Sequence, residues 1–191
     1  MDTTKIRQDF PALNQQRNGK PPIYFDNACL TLKPKQVIES MDDYYRNFPA
    51  CGGHGRSDHW FAGMVNEKVE EARENIRKFI NAKSTNEIIF TRNTTEGLNL
   101  VAQGFDFKEG DEVLTTDREH NSNLCPWRRL EAKGIIKHKV VPSNPDNTFN
   151  LAVFKEMLTL KVKLVSLVHT SNLDGYTIPA EEIIRIAHEH G

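Results

Sequence analysis

From Glu87 onward the chain alternates short apolar runs with amphipathic stretches, and this alternation restricts its fold more than any other feature. Ile88-Ile89-Phe90 is the first apolar run and predicts a buried strand. A polar turn, residues 92–95, leads into a helical pattern carrying Leu98, Val101 and Ala102. Glu112-Val113-Leu114 predicts the next strand, and residues 123–133 a helix with Gly134 at its stop, where the missing Cβ suits a left-handed turn. Residues 135–141 predict a strand, 142–147 a turn cluster, 151–158 a helix and 163–168 a strand. Residues 179–190 complete the pattern as a helix with Ile183, Ile184 and Ala187 on one face. Strands alternating with helices through short loops imply βαβ units, hence an α/β chain with a mostly parallel sheet and helices on both faces. In such sheets ligands bind beyond the carboxyl ends of the strands, so the residues just after strands are the informative ones.

The chain before Glu87 follows a different grammar. Residues 1–22 are polar, carry Pro11, Pro21 and Pro22, and predict a surface arm with at most a short helix; residues 23–191 are expected to form the main body. Pro34 stands where a helix can begin at no cost in hydrogen bonds, and Val37, Ile38, Met41, Tyr45 and Phe48 recur behind it at helical spacing. A glycine-rich break follows, and then Val65, Val69, Ala72, Ile76 and Phe79 form a second helical stripe.

Charge and composition exclude several classes. The net charge is -1 and no block of lysine or arginine stands out, which argues against nucleic acid or an anionic membrane as the main partner. No apolar run approaches the length of a membrane span, and residues 1–10 lack the apolar core of a secretory signal. Three widely spaced cysteines, Cys29, Cys51 and Cys125, fit a reducing compartment better than a disulfide framework, so a cytoplasmic location is expected. Cys125, inside a predicted helix, is expected to be buried.

Three polar clusters follow three of the strands. Asn93-Thr94-Thr95-Glu96-Gly97 joins strand to helix; Asn93 can cap the helix with Glu96 closing a capping box, and the free N–H groups suit a phosphate. The plain alternative is an ordinary helix cap, and no P-loop lysine follows. Glu119-His120-Asn121-Ser122-Asn123 offers a histidine able to stack on an aromatic ligand or move protons; the plain alternative is a solvated loop histidine. His169-Thr170-Ser171-Asn172 ends the most apolar strand, and Asn172 can bond a ligand oxygen, although Asn-Leu-Asp-Gly is also good turn sequence. Each signal is weak alone; together they are how a cofactor site is built.

These residues carry a resemblance. Tyr24-Phe25-Asp26-Asn27-Ala28, the run from Phe90 to Ala102, Glu119-His120 with Asn123 and Pro126-Trp127, and His169-Thr170-Ser171-Asn172 resemble, in order and spacing, motifs of the class V aminotransferase family of pyridoxal 5′-phosphate (PLP) enzymes. The likeness runs from about Ile23 to Gly191 and is strongest to cysteine desulfurases. It implies the large PLP-binding domain of that family, in part. It implies that Thr94 and Thr95 hold the cofactor phosphate. His120 would stack on the pyridine ring and relay protons, and Asn172 would contact the ring hydroxyl or the substrate side. Ala28, Arg56 and His59 match positions near the substrate, a cysteine-like amino acid. A homodimer and a sulfur-acceptor protein are implied for the complete enzyme.

The chain departs from the family at Asn121, in the glycine-rich stretch 50–60 and at Asp174-Gly175. The family's Schiff-base lysine, the aspartate for the pyridine nitrogen, the carboxylate-binding arginine and the reactive cysteine have no match here. The chain is therefore expected to be an N-terminal portion, inactive alone in cysteine desulfuration. The alternatives are other chemistry of the same family (selenocysteine lyase, epimerase or aminotransferase) and a non-catalytic half-domain that pairs with a separately encoded C-terminal half. A nucleotide-binding module is disfavoured because no Gly-x-Gly-x-x-Gly follows the first strand. Cys51, His54, Asp58 and His59 are too crowded for a structural zinc site, and no metal is expected.

Overall fold

The computed structural model describes residues 2–53 and 55–191, which divide into two compact units, Met1–Phe90 and Thr91–Gly191. The second unit holds the sheet. Strands β1 (Asp111–Thr116), β2 (Ile136–Val141) and β3 (Val162–Val165) are all parallel and lie in the order β2-β1-β3. The chain leaves β1 for one neighbour and then returns past it to the other. With right-handed crossovers, such a reversal puts the two connecting helices on opposite faces.

The side chains agree. Val113 of β1 packs with Ala102 of helix α4 (Thr94–Gly104), with Trp127 of α5 (Cys125–Ala132) and with Ile136 of β2. Its neighbour Leu114 points the other way, into Val141, Phe149, Phe154 of α6 (Leu151–Met157), Leu158, Ile178, and Ile183 and Ile186 of α7 (Ala180–Glu189). Helices thus cover both faces of a parallel sheet, as the alternating pattern predicts.

Three expectations about the helices of this unit are corrected. The helix expected over residues 123–133 is two pieces, a 3₁₀ turn Asn121–Asn123 and then α5, with Pro126 in the first helical turn. Cys125, at the exposed start of α5, is not buried. On α7 the buried pair is Ile183 and Ile186, while Ile184 is 53% exposed, because a 3.6-residue period carries position 184 off the stripe. Gly134, at φ 73°, ends the α5 segment in the expected left-handed turn.

The first unit is built from α1 (Thr3–Arg7), α2 (Lys35–Asn47) and α3 (Trp60–Phe79), with short 3₁₀ turns at Pro11–Asn14 and Thr85–Glu87. Arg7 donates to the carbonyls of Leu13 and Pro22, and Lys35 pairs with Asp9, so the arm is tied to the start of α2. Both predicted helical stripes form helices, yet α2 buries no residue and α3 buries only Ala62. Ile88-Ile89-Phe90 does not form the expected strand. A strand needs a neighbour for its backbone groups; none pairs with this run among the described residues, and Ile89 is 68% exposed.

Two outcomes follow from this packing. Phe154→Ala, at a side chain of 0% exposure, is expected to cost about 3–5 kcal/mol in denaturant unfolding, whereas Phe79→Ala, at 90% exposure, stays within about 0.5 kcal/mol. His138 bonds Thr115 at 2.8 Å, and burial, the largest influence, pushes its pKa below 6.5, outweighing the opposing pull of Glu131. The unfolded chain then binds the extra proton first, so stability falls as pH drops below about 6.5 and levels off below the lowered native value. His138→Gln should flatten that slope in urea titrations between pH 7.5 and 5.

Candidate functional site

The carboxyl ends of β1 and β3 lie side by side, and the segments after them are joined by a chain of buried and half-buried hydrogen bonds. The Thr116 hydroxyl donates to Glu119 Oε1 at 2.7 Å, and the backbone N–H of Val168 donates to the same oxygen at 2.9 Å. Asn123 Nδ2 donates to Glu119 Oε2 at 2.7 Å. Asn123 Oδ1 in turn accepts from the Trp127 indole at 3.1 Å and from the Ser166 hydroxyl at 2.5 Å. Glu119, Asn123 and Trp127 are all buried.

Two further ties flank this chain. Asp117 accepts from the Ser143 hydroxyl at 2.6 Å and its N–H at 2.8 Å, joining the ends of β1 and β2. Arg118 forms an ion pair with Asp174, joining the segments after β1 and β3. The Asp174 carboxyl is held below its ordinary range, first by the Tyr176 N–H and then by Ser171 and Arg118.

On this frame His120 is exposed and caps the 3₁₀ turn. Its Nδ1 accepts the backbone N–H of Ser122 at 3.1 Å and lies 2.8 Å from the Ser122 hydroxyl. A backbone N–H only donates, so the neutral ring carries its proton on Nε2. Among the described residues that N–H has no hydrogen-bond partner, and the residue is exposed.

Asn172 lies in the turn after β3, which closes through Gly175 N–H to Ser171 O at 3.0 Å and Ile178 N–H to His169 O at 3.0 Å. Gly175 takes φ 74°, the conformation that fits glycine at this tip. The turn expected from the sequence and the exposure of Asn172 are therefore one feature. Among the described residues the Asn172 amide has no hydrogen-bond partner.

Thr94 and Thr95 are the first two residues of α4 and are exposed. Asn93 caps the helix by accepting from Glu96 N–H at 2.9 Å. The second half of the expected capping box is displaced: Glu96 reaches back to Arg92, accepting its N–H at 2.6 Å and pairing with its guanidinium at 3.0 Å. Those bonds hold the Glu96 carboxyl below its ordinary range. The N–H groups of Thr94 and Thr95 have no place in the helical ladder. Among the described residues neither they nor the two hydroxyls have a partner. Helix α4 packs against the 3₁₀ turn that His120 caps. Thr94, Thr95, His120 and Asn172 thus all sit on segments around the carboxyl ends of the sheet.

Ala28, Arg56 and His59 lie in the first unit. Ala28 is exposed in a tight turn, where Cys29 and Leu30 both donate to Asp26 O. His59 caps α3, its Nδ1 accepting Ala62 N–H at 3.3 Å. Arg56 is exposed in the loop before α3, which presses on that helix: a Cβ on Gly52 would meet Val65 Cγ1 at 2.7 Å, and Gly53 N–H reaches Asn66 Oδ1 at 2.6 Å. His54 of the zinc candidate lies outside the described residues. Among the described residues no three His, Cys, Asp or Glu side chains cluster to hold a metal. No helix there is long and apolar enough to cross a membrane.

Sequence reasoning assigned no role to Glu119, Asn123 or Ser166. A signal was present in the four-residue spacing of Glu119, Asn123 and Trp127.

A family model for aminotransferase class-V matches residues 23–191. A probable cysteine desulfurase from Synechocystis sp. is 44% identical over 189 residues, covering 97% of this chain and 44% of that protein. The apo structure of a cysteine desulfurase from Thermococcus onnurineus NA1 superposes with a TM-score of 0.88 at 37% identity, covering 99% of this chain and 45% of that one. A C-DES mutant with glycine covalently linked to its PLP cofactor shares the fold, at TM-score 0.80 and 24% identity, over 97% of this chain and 46% of that one. The chain therefore spans about half the length of the relatives it matches.

Proposed function

The chain belongs to the aminotransferase class-V family, and on that premise we propose that it carries the phosphate- and ring-facing side of a PLP site in a cysteine desulfurase-type enzyme. The observation that supports this most is the open start of α4, with Thr94 and Thr95 exposed and unpartnered, on a helix packed against the turn capped by His120.

The donors there fit the cofactor. A phosphate at Thr94 and Thr95 meets backbone N–H groups, two hydroxyls and the positive end of a helix. Glu96, the nearby anion, is offset by Arg92. His120 presents an open imidazole face for the pyridine ring and holds a proton at Nε2. Asn172 offers an amide to the ring hydroxyl or to the substrate side. Ala28, Arg56 and His59 of the first unit are proposed to serve a cysteine-like amino acid. When bound, PLP supplies an electron sink for bonds at the amino-acid α-carbon. In the whole protein the reaction would convert cysteine to alanine with sulfur held as an enzyme persulfide, passed to an acceptor protein. Selenocysteine lyase, epimerase or aminotransferase chemistry would use the same face. We place the whole protein in the cytoplasm as a homodimer. Residues 1–22 would be an arm on the PLP-binding domain, which begins at residue 23.

Pyridoxine 5′-phosphate tests the phosphate site without reacting at lysines. It is expected to bind in a fluorescence titration, and pyridoxine lacking the phosphate to bind more weakly. Thr94→Ala with Thr95→Ala should weaken only the phosphorylated ligand, by about tenfold or more, the value of hydrogen bonds to a charged group. Equal binding of the two ligands, or no loss in the double variant, would refute the assignment.

The outer edge of β3 favours a second reading. Among the described residues no strand pairs with it, and a cavity of about 660 Å³ beside it is lined by Val162, Val165, Leu167, Ile183, Ile184 and Ala187. In this reading a separately encoded C-terminal half completes the sheet there. The intact mass of the native protein after borohydride reduction decides between the two. A mass well above 21.8 kDa with a pyridoxyl adduct supports one continuous enzyme; a mass near 21.8 kDa without it supports a partner chain.

A further inference from the structure

Glu119 has a position that only an acceptor can fill. It is 9% exposed, and its two oxygens receive donors from three parts of the second unit: the Thr116 hydroxyl, the Val168 N–H and Asn123 Nδ2. The direction of each bond is fixed by groups that cannot reverse. An indole nitrogen and a backbone nitrogen only donate. Trp127 Nε1 therefore assigns the Asn123 oxygen to itself, at 3.1 Å, which turns the Asn123 amide nitrogen toward Glu119 at 2.7 Å. At the other end the Val168 N–H needs an acceptor and finds Glu119 Oε1 at 2.9 Å. The chain is thus a polar sequence with both ends fixed. It joins the residue preceding His120 to the strand extension that runs into Asn172.

We propose that Glu119 is a positioning residue, and that the donor–acceptor polarity of the Trp127–Asn123–Glu119–Val168 chain, rather than packing alone, fixes the segments carrying His120 and Asn172 against each other. The proposed consequence for binding, though not the polarity itself, rests on the cofactor-site reading given above. His120 and Asn172 are each exposed and have few ties of their own, so their placement comes from the buried groups behind them.

An exchange of polarity tests this. Glu119→Gln sets an amide N–H against the Asn123 amide, or, if the new group turns over, against Val168. Asn123→Asp sets two carboxylates against each other. Both changes together restore a complementary chain: the amide oxygen at position 119 accepts from Thr116 and Val168, and its nitrogen donates to the carboxylate at position 123. The other oxygen of that carboxylate still accepts from Trp127 and Ser166. All four side chains keep nearly the same size, so packing is common to the set.

The readout is NMR on the full chain without ligand, following hydrogen exchange at Val168 and the resonances of the His120 ring and Asn172 side-chain amide. Each single variant is expected to speed exchange at Val168 by about tenfold or more, as for a buried polar group left unpaired, and to move the His120 and Asn172 signals. The double variant should return both toward the native values. The proposal is overturned if the single variants leave these signals in place, or if the double variant is as disturbed as the worse single one. Pyridoxine 5′-phosphate titration of the same proteins separates the site readings. Weakened binding in the singles with recovery in the double supports the positioning role. Unchanged binding across the set overturns that role while leaving the cofactor site standing. If the native protein does not bind the probe but the exchange and resonance pattern holds, the cofactor reading fails and the polarity of the chain stands.

Discussion

Strand β1 is the constraint on which the second unit depends. Among the described residues it is the one strand paired on both sides, and Glu112 to Thr116 are all buried. Strands buried on both faces are usually continuous apolar runs. This one is mostly polar, and each buried polar side chain has a specific partner. Glu112 accepts from Lys139 at 2.8 Å and from Thr159 at 3.0 Å. Burial pushes its carboxyl upward, but those bonds outweigh it and hold the group below its ordinary range. Thr115 pairs with His138 and Thr116 with Glu119. The polar partners lie on β2, on the approach to β3 and in the loop after β1, so satisfying the central strand also places its neighbours.

That arrangement explains how far the sequence could be read. Hydropathy marks Glu112-Val113-Leu114 as strand and stops, because Thr115 and Thr116 resemble loop residues until their hydroxyl partners are known. β3 fails in the other direction: the apolar run extends to Val168, but the strand ends at Val165, and beyond Ser166 the backbone turns to Glu119 instead of the sheet. The longer helices were legible, since stripes such as those of α2 and α3 depend only on local spacing. Ile88-Ile89-Phe90 was not, because strand formation depends on a neighbour that local sequence cannot supply.

The candidate site divides the same way. Thr94, Thr95, His120 and Asn172 could be named as candidates because they follow predicted strands and fall in motifs with a mechanism. Their supports were not: Glu119, Asn123, Ser166 and Asp174 act through partners 3 to 56 residues away. Motif resemblance named the exposed groups, while geometry identified the buried ones that hold them. In the first unit the resemblance named Ala28, Arg56 and His59, and the local geometry adds a close fit of the Gly52-Gly53 loop on α3.

A buried carboxylate surrounded by donors is a costly device if stability is the only purpose, since apolar groups of the same volume often serve as well. Its advantage is direction. Apolar contacts tolerate small slides between elements, whereas a chain of bonds whose protons are fixed at Trp127 and Val168 permits one register. The requirement is greatest where β1 and β3 give way to loops, because there the regular ladder no longer aligns them. The polar chain begins at that point, with Thr116 at the last position of β1 and Ser166 just past the end of β3. Placing directional bonds where the sheet stops extends its order into the loops, and His120 and Asn172 are the exposed residues that inherit it.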